Sequence, residues 1–196
     1  MKSPTTKHIE YLIFQHTNKL GTYGCREVKI GGVKTKRFIT DNQEFVDYMT
    51  ITSDGVITCY EIKSSLEDIK SNARLSFFGH KNYFIMPKGV YEKICNESWF
   101  LRKLENQTIG VISVNDFDEL KIIKKCKNKN LSIGIQTILL ESFAKSTARD
   151  AAKLYQLEKS NERRLSSKQI DDLLKEIVTE DFVKNAIEEF GIGVEG

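Results

Sequence analysis

Glu44-Phe45-Val46-Asp47-Tyr48-Met49-Thr50-Ile51-Thr52-Ser53-Asp54-Gly55-Val56-Ile57-Thr58-Cys59-Tyr60-Glu61-Ile62-Lys63 is the stretch on which the reading of this chain turns. Both halves are rich in β-branched and aromatic residues, and Ser53-Asp54-Gly55 between them is turn chemistry, so the stretch reads as a β-hairpin. Side chains alternate along a strand, which puts Glu61 and Lys63 on one face. The turn decides whether Asp47 joins them. A two-residue loop at Asp54-Gly55 sets Asp47 against Ile62 and sends it to the wrong face. A three-residue loop, Ser53-Asp54-Gly55 with Gly55 left-handed, sets Asp47 opposite Glu61 with Lys63 one diagonal step away. Glycine at the last loop position is what the second turn requires, and that register is the expectation.

Two carboxylates and an ammonium close together make poor core material, since burying them unpaired costs several kcal/mol. They suit a hard divalent cation such as Mg²⁺ or Mn²⁺, with Asp47 and Glu61 as ligands and the Ile62 backbone carbonyl beside them. Lys63 is then placed to orient a water or to stabilise charge developing on a phosphate. On an exposed hairpin the same residues are a surface ion-pair cluster worth under ~1 kcal/mol. Met49, Tyr60 and Ile62 make the strands read as central instead.

The surroundings extend this pattern. Ser3-Pro4 is a helix entry, with Ile9, Leu12, Ile13 and Leu20 at helical spacing before Gly21. Residues 23–30 read as a strand. Ser65 and Asp68 are spaced as a capping box for a helix running towards Phe78 and Gly79. Tyr83-Phe84-Ile85-Met86 is a short buried strand closed by Pro87. The order to this point is α-β-β-β-α-β. A helix around Val90 to Cys95 and a hairpin, Ile109–Val114 with Leu120–Lys125, extend the sheet. From Ser132 the texture becomes helical, through Ile135, Ile138, Leu139 and Phe143 and then Ala151, Leu154 and Tyr155. Ser166 with Gln169 reads as a fresh helix start, and a last helix carries Phe182, Val183, Ile187 and Phe190.

Composition bounds the alternatives. At 196 residues, 40% hydrophobic and 29% charged, the chain is globular and long enough for one good core with an appendage. No apolar run reaches the ~18 residues of a membrane span and no opening segment reads as a signal peptide, so no membrane partner is expected. Cys25, Cys59, Cys95 and Cys126 are scattered without a C-x-x-C, which argues for reduced thiols in a cytoplasmic protein. The net charge of +3 hides an asymmetry. Residues 1–130 hold 21 Lys and Arg against 15 Asp and Glu, and residues 131–196 hold 9 against 12. A basic front and an acidic tail suit a nucleic-acid-binding body, 1–130, with a helical extension, 131–196, for packing or dimerisation.

Val-Asp-Tyr-Met-Thr-Ile, then Ser-Asp-Gly, Cys-Tyr-Glu-Ile-Lys-Ser-Ser-Leu-Glu-Asp-Ile-Lys and Tyr-Phe-Ile-Met-Pro together resemble the PD-(D/E)XK nuclease superfamily. The nearest likeness is to its MmcB-type DNA-repair branch, with some likeness to archaeal Holliday junction resolvases, over about residues 5–125. The resemblance implies a restriction-endonuclease-like αβββαβ core with a mixed central sheet. It also implies Asp47, Glu61 and Lys63 at the catalytic and metal-binding positions, and hydrolysis of DNA phosphodiesters in repair, recombination or mobile-element and defence processes. Val46 stands where the family name has proline. Many members add a glutamate from the first helix, for which Glu10 is the candidate and Glu27 the rival. Lys70 and Arg74, four apart on the second helix, and Lys34, Lys36 and Arg37 after Gly31-Gly32 are candidate phosphate contacts. Lys124-Lys125-Cys126-Lys127 reads equally as edge-strand protection. Two alternatives stand beside the nuclease: a catalytically weak DNA-binding module on the same fold, and an assembly protein organised by its helical tail.

Overall fold

The computed structural model describes residues 2–30, 44–71, 77–106 and 108–177. Ser3 caps α1 (Pro4–Thr17), its hydroxyl accepting from Thr6 N–H at 3.1 Å. Pro4 fits because the first helical position has no use for an N–H. Strands β1 (Thr22–Ile30), β2 (Glu44–Thr52) and β3 (Ile57–Ile62) follow, then α2 (Leu66–Lys70), β4 (Lys81–Pro87), α3 (Lys88–Ile94), α4 (Ser98–Asn106), β5 (Gly110–Val114), β6 (Leu120–Lys124) and α5 (Ile133–Ile177). The six strands lie side by side in chain order. β1, β2 and β3 pair antiparallel, β3, β4 and β5 parallel, and β6 closes the edge antiparallel. This is the mixed α/β architecture, with its α-β-β-β-α-β core and C-terminal helix, that the sequence pattern implies.

The hairpin register is the expected one. Tyr48 pairs with Tyr60, Met49 with Cys59 and Thr50 with Thr58. Thr52 N–H donates to the Val56 carbonyl at 3.1 Å across a three-residue loop, and Gly55 is left-handed at φ 81°. A Cβ added at Gly55 meets nothing within 4 Å, so only backbone strain opposes a side chain there. Gly55→Ala is therefore expected to destabilise the protein by about 1 kcal/mol in urea unfolding, and Gly55→Asn by less. Equal stability of all three forms removes the turn as the device that sets the register.

Three clusters form the core. On one face of the sheet Ile9, Leu12 and Ile13 of α1 pack on Tyr48, Ile62, Ile85 and Ile112. On the other, Ile69, Ile94, Phe100 and Leu104 cover Phe84, Met86 and Val111. Leu139 of α5 joins Cys25, Val28, Val46, Met49 and Cys59. Parallel partners share a face, and Glu61 pairs with Phe84. Glu61 therefore lies on the face covered by α2–α4. Lys63, two residues on, is directed the same way.

Several expectations are corrected. Leu20 is wholly exposed rather than core, because α1 ends at Thr17. The described helix after Ser65 stops at Lys70, and residues 77–80 are not helical. α4 is an additional helix, with Phe100 and Leu104 buried. Ser166 and Gln169 mark no new start, since α5 runs through them without a break. No glycine or proline interrupts residues 135–190, so nothing turns the chain out to let Ser166 cap. The expected helix at Phe182–Phe190 lies outside the described residues.

The chain divides into two compact units, Met1–Ala148 and Arg149–Gly196. In the second, Leu154, Tyr155, Leu157 and Ile170 are exposed. All four cysteines are free. Among the described residues no helix is long and apolar enough to cross a membrane.

Candidate functional site

The β2–β3 ladder ends at Tyr48 and Tyr60. One step beyond, the Asp47 side chain takes up the ladder's work: its Oδ2 accepts from Ile62 N–H at 2.9 Å. A carboxylate thus lies between the two strands where a backbone carbonyl would otherwise sit. The side-chain alternation also slips at this point. Val46 and Met49, three apart, join the same cluster, as do Cys25 and Val28 on the paired strand. Glu27, at the slip in β1, has φ 49°. An outlier of this kind on a non-glycine residue is strained backbone held in place by its surroundings.

Burial pushes the Asp47 carboxyl above its ordinary range. The Ile62 N–H and the charges of Lys2 and Lys63 act against that, and Asp68 adds to it. Glu61 is 5% exposed and Lys63 6%. The negative charge of Glu61 is felt at Cys59, whose thiol is pushed up to about 12, chiefly by burial. N–H and C=O of a strand residue leave towards the same edge, so the Ile62 carbonyl is directed to the Asp47 side. Lys63 turns the other way: its N–H donates to the Ile85 carbonyl of β4 at 2.8 Å.

The Lys63 ammonium is held by Asp68, Nζ to Oδ1 at 3.3 Å. Asp68 is fixed in turn, since its Oδ2 accepts from Ser64 N–H at 3.1 Å and its own N–H donates to Ser65 Oγ at 3.1 Å. The capping pattern Ser65–Asp68 was legible, but its second use as the seat of Lys63 was not, because the helix start already accounted for the aspartate.

Glu10 and Glu27 meet on a single cation. Lys2 Nζ lies 2.7 Å from Glu10 Oε1 and 3.0 Å from Glu27 Oε1. The two rival acids are therefore brought together, by an N-terminal lysine that carries no sequence signal. Among the described residues no group of three or more His, Cys, Asp or Glu side chains is gathered closely enough to hold a metal ion. The expected ligands, Asp47, Glu61 and the Ile62 carbonyl, are oxygen donors, the chemical kind that Mg²⁺ accepts when waters and phosphate complete its shell. Lys70 is exposed at the end of α2. Lys34, Lys36, Arg37 and Arg74 lie outside the described residues.

No family model matches the chain. No curated protein matches it either. Among solved structures, SPO1766 from Silicibacter pomeroyi, a protein of unknown function, is similar with a TM-score of 0.58 and 16% identity over 81% of this chain and 96% of its own. At that identity the likeness is one of fold. SfsA of Pyrococcus furiosus, solved with Ca²⁺, matches 64% of this chain and 62% of its own at 11% identity, with a TM-score of 0.27. That score carries no argument.

Proposed function

We propose that this chain is a metal-dependent endonuclease of the PD-(D/E)XK superfamily, near its MmcB-type branch, that hydrolyses DNA phosphodiesters. The observation that supports the reading is the Asp47 carboxylate bonded to Ile62 N–H, one step beyond the Tyr48–Tyr60 end of the β2–β3 ladder, with the buried Glu61 and Lys63 on either side of Ile62 in the chain. Asp47 has a structural use at the end of the ladder, but burying Glu61 and Lys63 on either side of Ile62 goes beyond that use. A catalytic need accounts for it.

In this reading Asp47, Glu61 and the Ile62 carbonyl would hold Mg²⁺ or Mn²⁺, which would supply a water of lowered pKa and offset charge on the phosphate. The Ile62 N–H fixes the orientation of the Asp47 carboxylate. Lys63, seated by Asp68, presents its ammonium to the attacking oxygen or to the phosphate oxygen that gains charge. Because Asp68 is itself fixed by two backbone N–H groups, one accepted and one its own, the ammonium needs little reorganisation as the reaction proceeds.

The test is cleavage of plasmid, branched and single-stranded DNA with Mg²⁺, with Mn²⁺ and with chelator. Metal-dependent cutting is expected. Folded protein that binds DNA but cuts no substrate with either metal sinks the nuclease reading and leaves a DNA-binding module. The reading also takes a homodimer through the C-terminal helix, because Leu154, Tyr155 and Leu157 present apolar surface there. Sedimentation velocity that finds monomer alone at tens of micromolar removes that part.

A further inference from the structure

A groove of about 600 Å³ runs between the end of α2 and α4, floored by Ile69. Its walls carry Lys70, Arg102 and Lys103, with Trp99 and Asn106, and among the described residues no acidic side chain lines it. Trp99, Arg102, Lys103 and Asn106 fall at helical spacings of three and four, so α4 offers them as one stripe. α4 supplies the core chiefly from Phe100 and Leu104, with Trp99 packed at its margin and Arg102, Lys103 and Asn106 beyond it.

The groove lies close to the candidate catalytic lysine. Lys103 titrates below its ordinary range, first through burial and then through the positive charge of Lys63. Its Nζ stands 6.0 Å from the centre of the Phe84 ring, and Phe84 pairs with Glu61 across the sheet. Several cations near one another, with no acid among the described lining residues, favour an anion as occupant. The Trp99 ring is half-buried and braced at 5.7 Å by Phe100, edge-on, which holds the indole in a set orientation. A fixed indole beside cations is a platform for a nucleobase with its phosphate neighbours, and it is of use only to a base that is not paired.

We propose that this groove binds an unpaired stretch of polynucleotide leading to the scissile phosphate, with a base stacked on Trp99 and phosphates on Lys70, Arg102 and Lys103. The inference rests on the nuclease reading for its direction, but its test does not require cutting. Trp99 is the only tryptophan of the chain, so intrinsic fluorescence reports on this groove alone.

The experiment titrates the full chain in chelator with oligothymidylate of about 12 nucleotides, its abasic counterpart, a duplex of equal length and polyglutamate. Oligothymidylate is expected to quench Trp99 with an affinity that falls steeply with salt. The abasic strand should bind about tenfold more weakly and quench little. Lys70→Ala with Arg102→Ala, both at exposed positions, should weaken binding by about tenfold and flatten the salt dependence. Quenching equal for duplex and single strand overturns the proposal, as does binding unchanged in the double variant. Preference for polyglutamate overturns it in favour of an acidic protein partner. If plasmid is cut but oligothymidylate leaves Trp99 unaffected, the groove proposal fails and the nuclease stands. If the strand binds as expected and nothing is cut, the reverse holds.

Discussion

Lys63→Ala should lower single-turnover cleavage at saturating Mg²⁺ by about 10²–10⁴-fold, with substrate affinity changed little. The expectation follows from where the ammonium sits. It is 6% exposed, seated on Asp68 at 3.3 Å, and close enough to Asp47 to favour that carboxylate's charge. Removing it takes away a prepositioned positive charge. Asp68 is left with its Ser64 N–H, so the α2 cap persists. The variant should therefore fold, which circular dichroism and a thermal melt will report. Lys63→Arg is not expected to restore the rate, because a planar fork does not replace a compact point charge. Cleavage within a few-fold of wild type by folded Lys63→Ala would place the chemistry elsewhere on the molecule.

Asp47→Asn should lose metal-dependent cleavage and yet gain stability at neutral pH in the absence of divalent cations. Burial raises the Asp47 carboxyl above its ordinary value of 3.8. Between that value and the raised one, the folded state holds a proton that the unfolded chain has released. Stability contributed by the protonated group is thus present at low pH and is lost as pH rises through the folded-state titration. Above the folded-state titration the protein carries the full cost of a desolvated carboxylate. Asparagine removes the titration, and its Oδ1 still accepts from Ile62 N–H. The melting temperature of the variant should exceed that of wild type by about 2–4 °C per ~1 kcal/mol gained, and the gap should close in acid. Mg²⁺ should raise the melting temperature of wild type and not of the variant. A variant less stable than wild type at neutral pH, or an equal response to Mg²⁺, contradicts the role given to Asp47.

Much of the fold was legible because a few residues had no alternative. Gly55 fixes the loop length, the loop length fixes the register, and the register carries Tyr48 to Tyr60 and leaves Asp47 within reach of Ile62 N–H. Ser3-Pro4 admits only a helix start. Tyr83 to Pro87 admits only a buried strand. What escaped depends on contacts distant in sequence or on one residue serving twice. α4 was missed because its buried face is just Phe100 and Leu104, too short a pattern to stand apart from the preceding helix. Asp68 was read as a cap and nothing more. The meeting of Glu10 and Glu27 on Lys2 joins three separate segments, and no local periodicity reports it. Ser166 and Gln169 show the opposite error, a local motif overridden by an uninterrupted helix.

The chain-order sheet has a consequence for how the molecule assembles. Every strand finds its partner in its neighbour along the sequence, so no strand waits for a distant segment before it can pair. Loop closure is short for the antiparallel pairs β2–β3 and β5–β6, while the parallel pairs β3–β4 and β4–β5 close over crossovers that carry helices. Asp47, Glu61, Lys63 and Asp68 all come from one hairpin and the turn of helix that follows it. The geometry of the candidate site is thereby tied to the nearest-neighbour events of folding, while the helical layers that shield it are added around it.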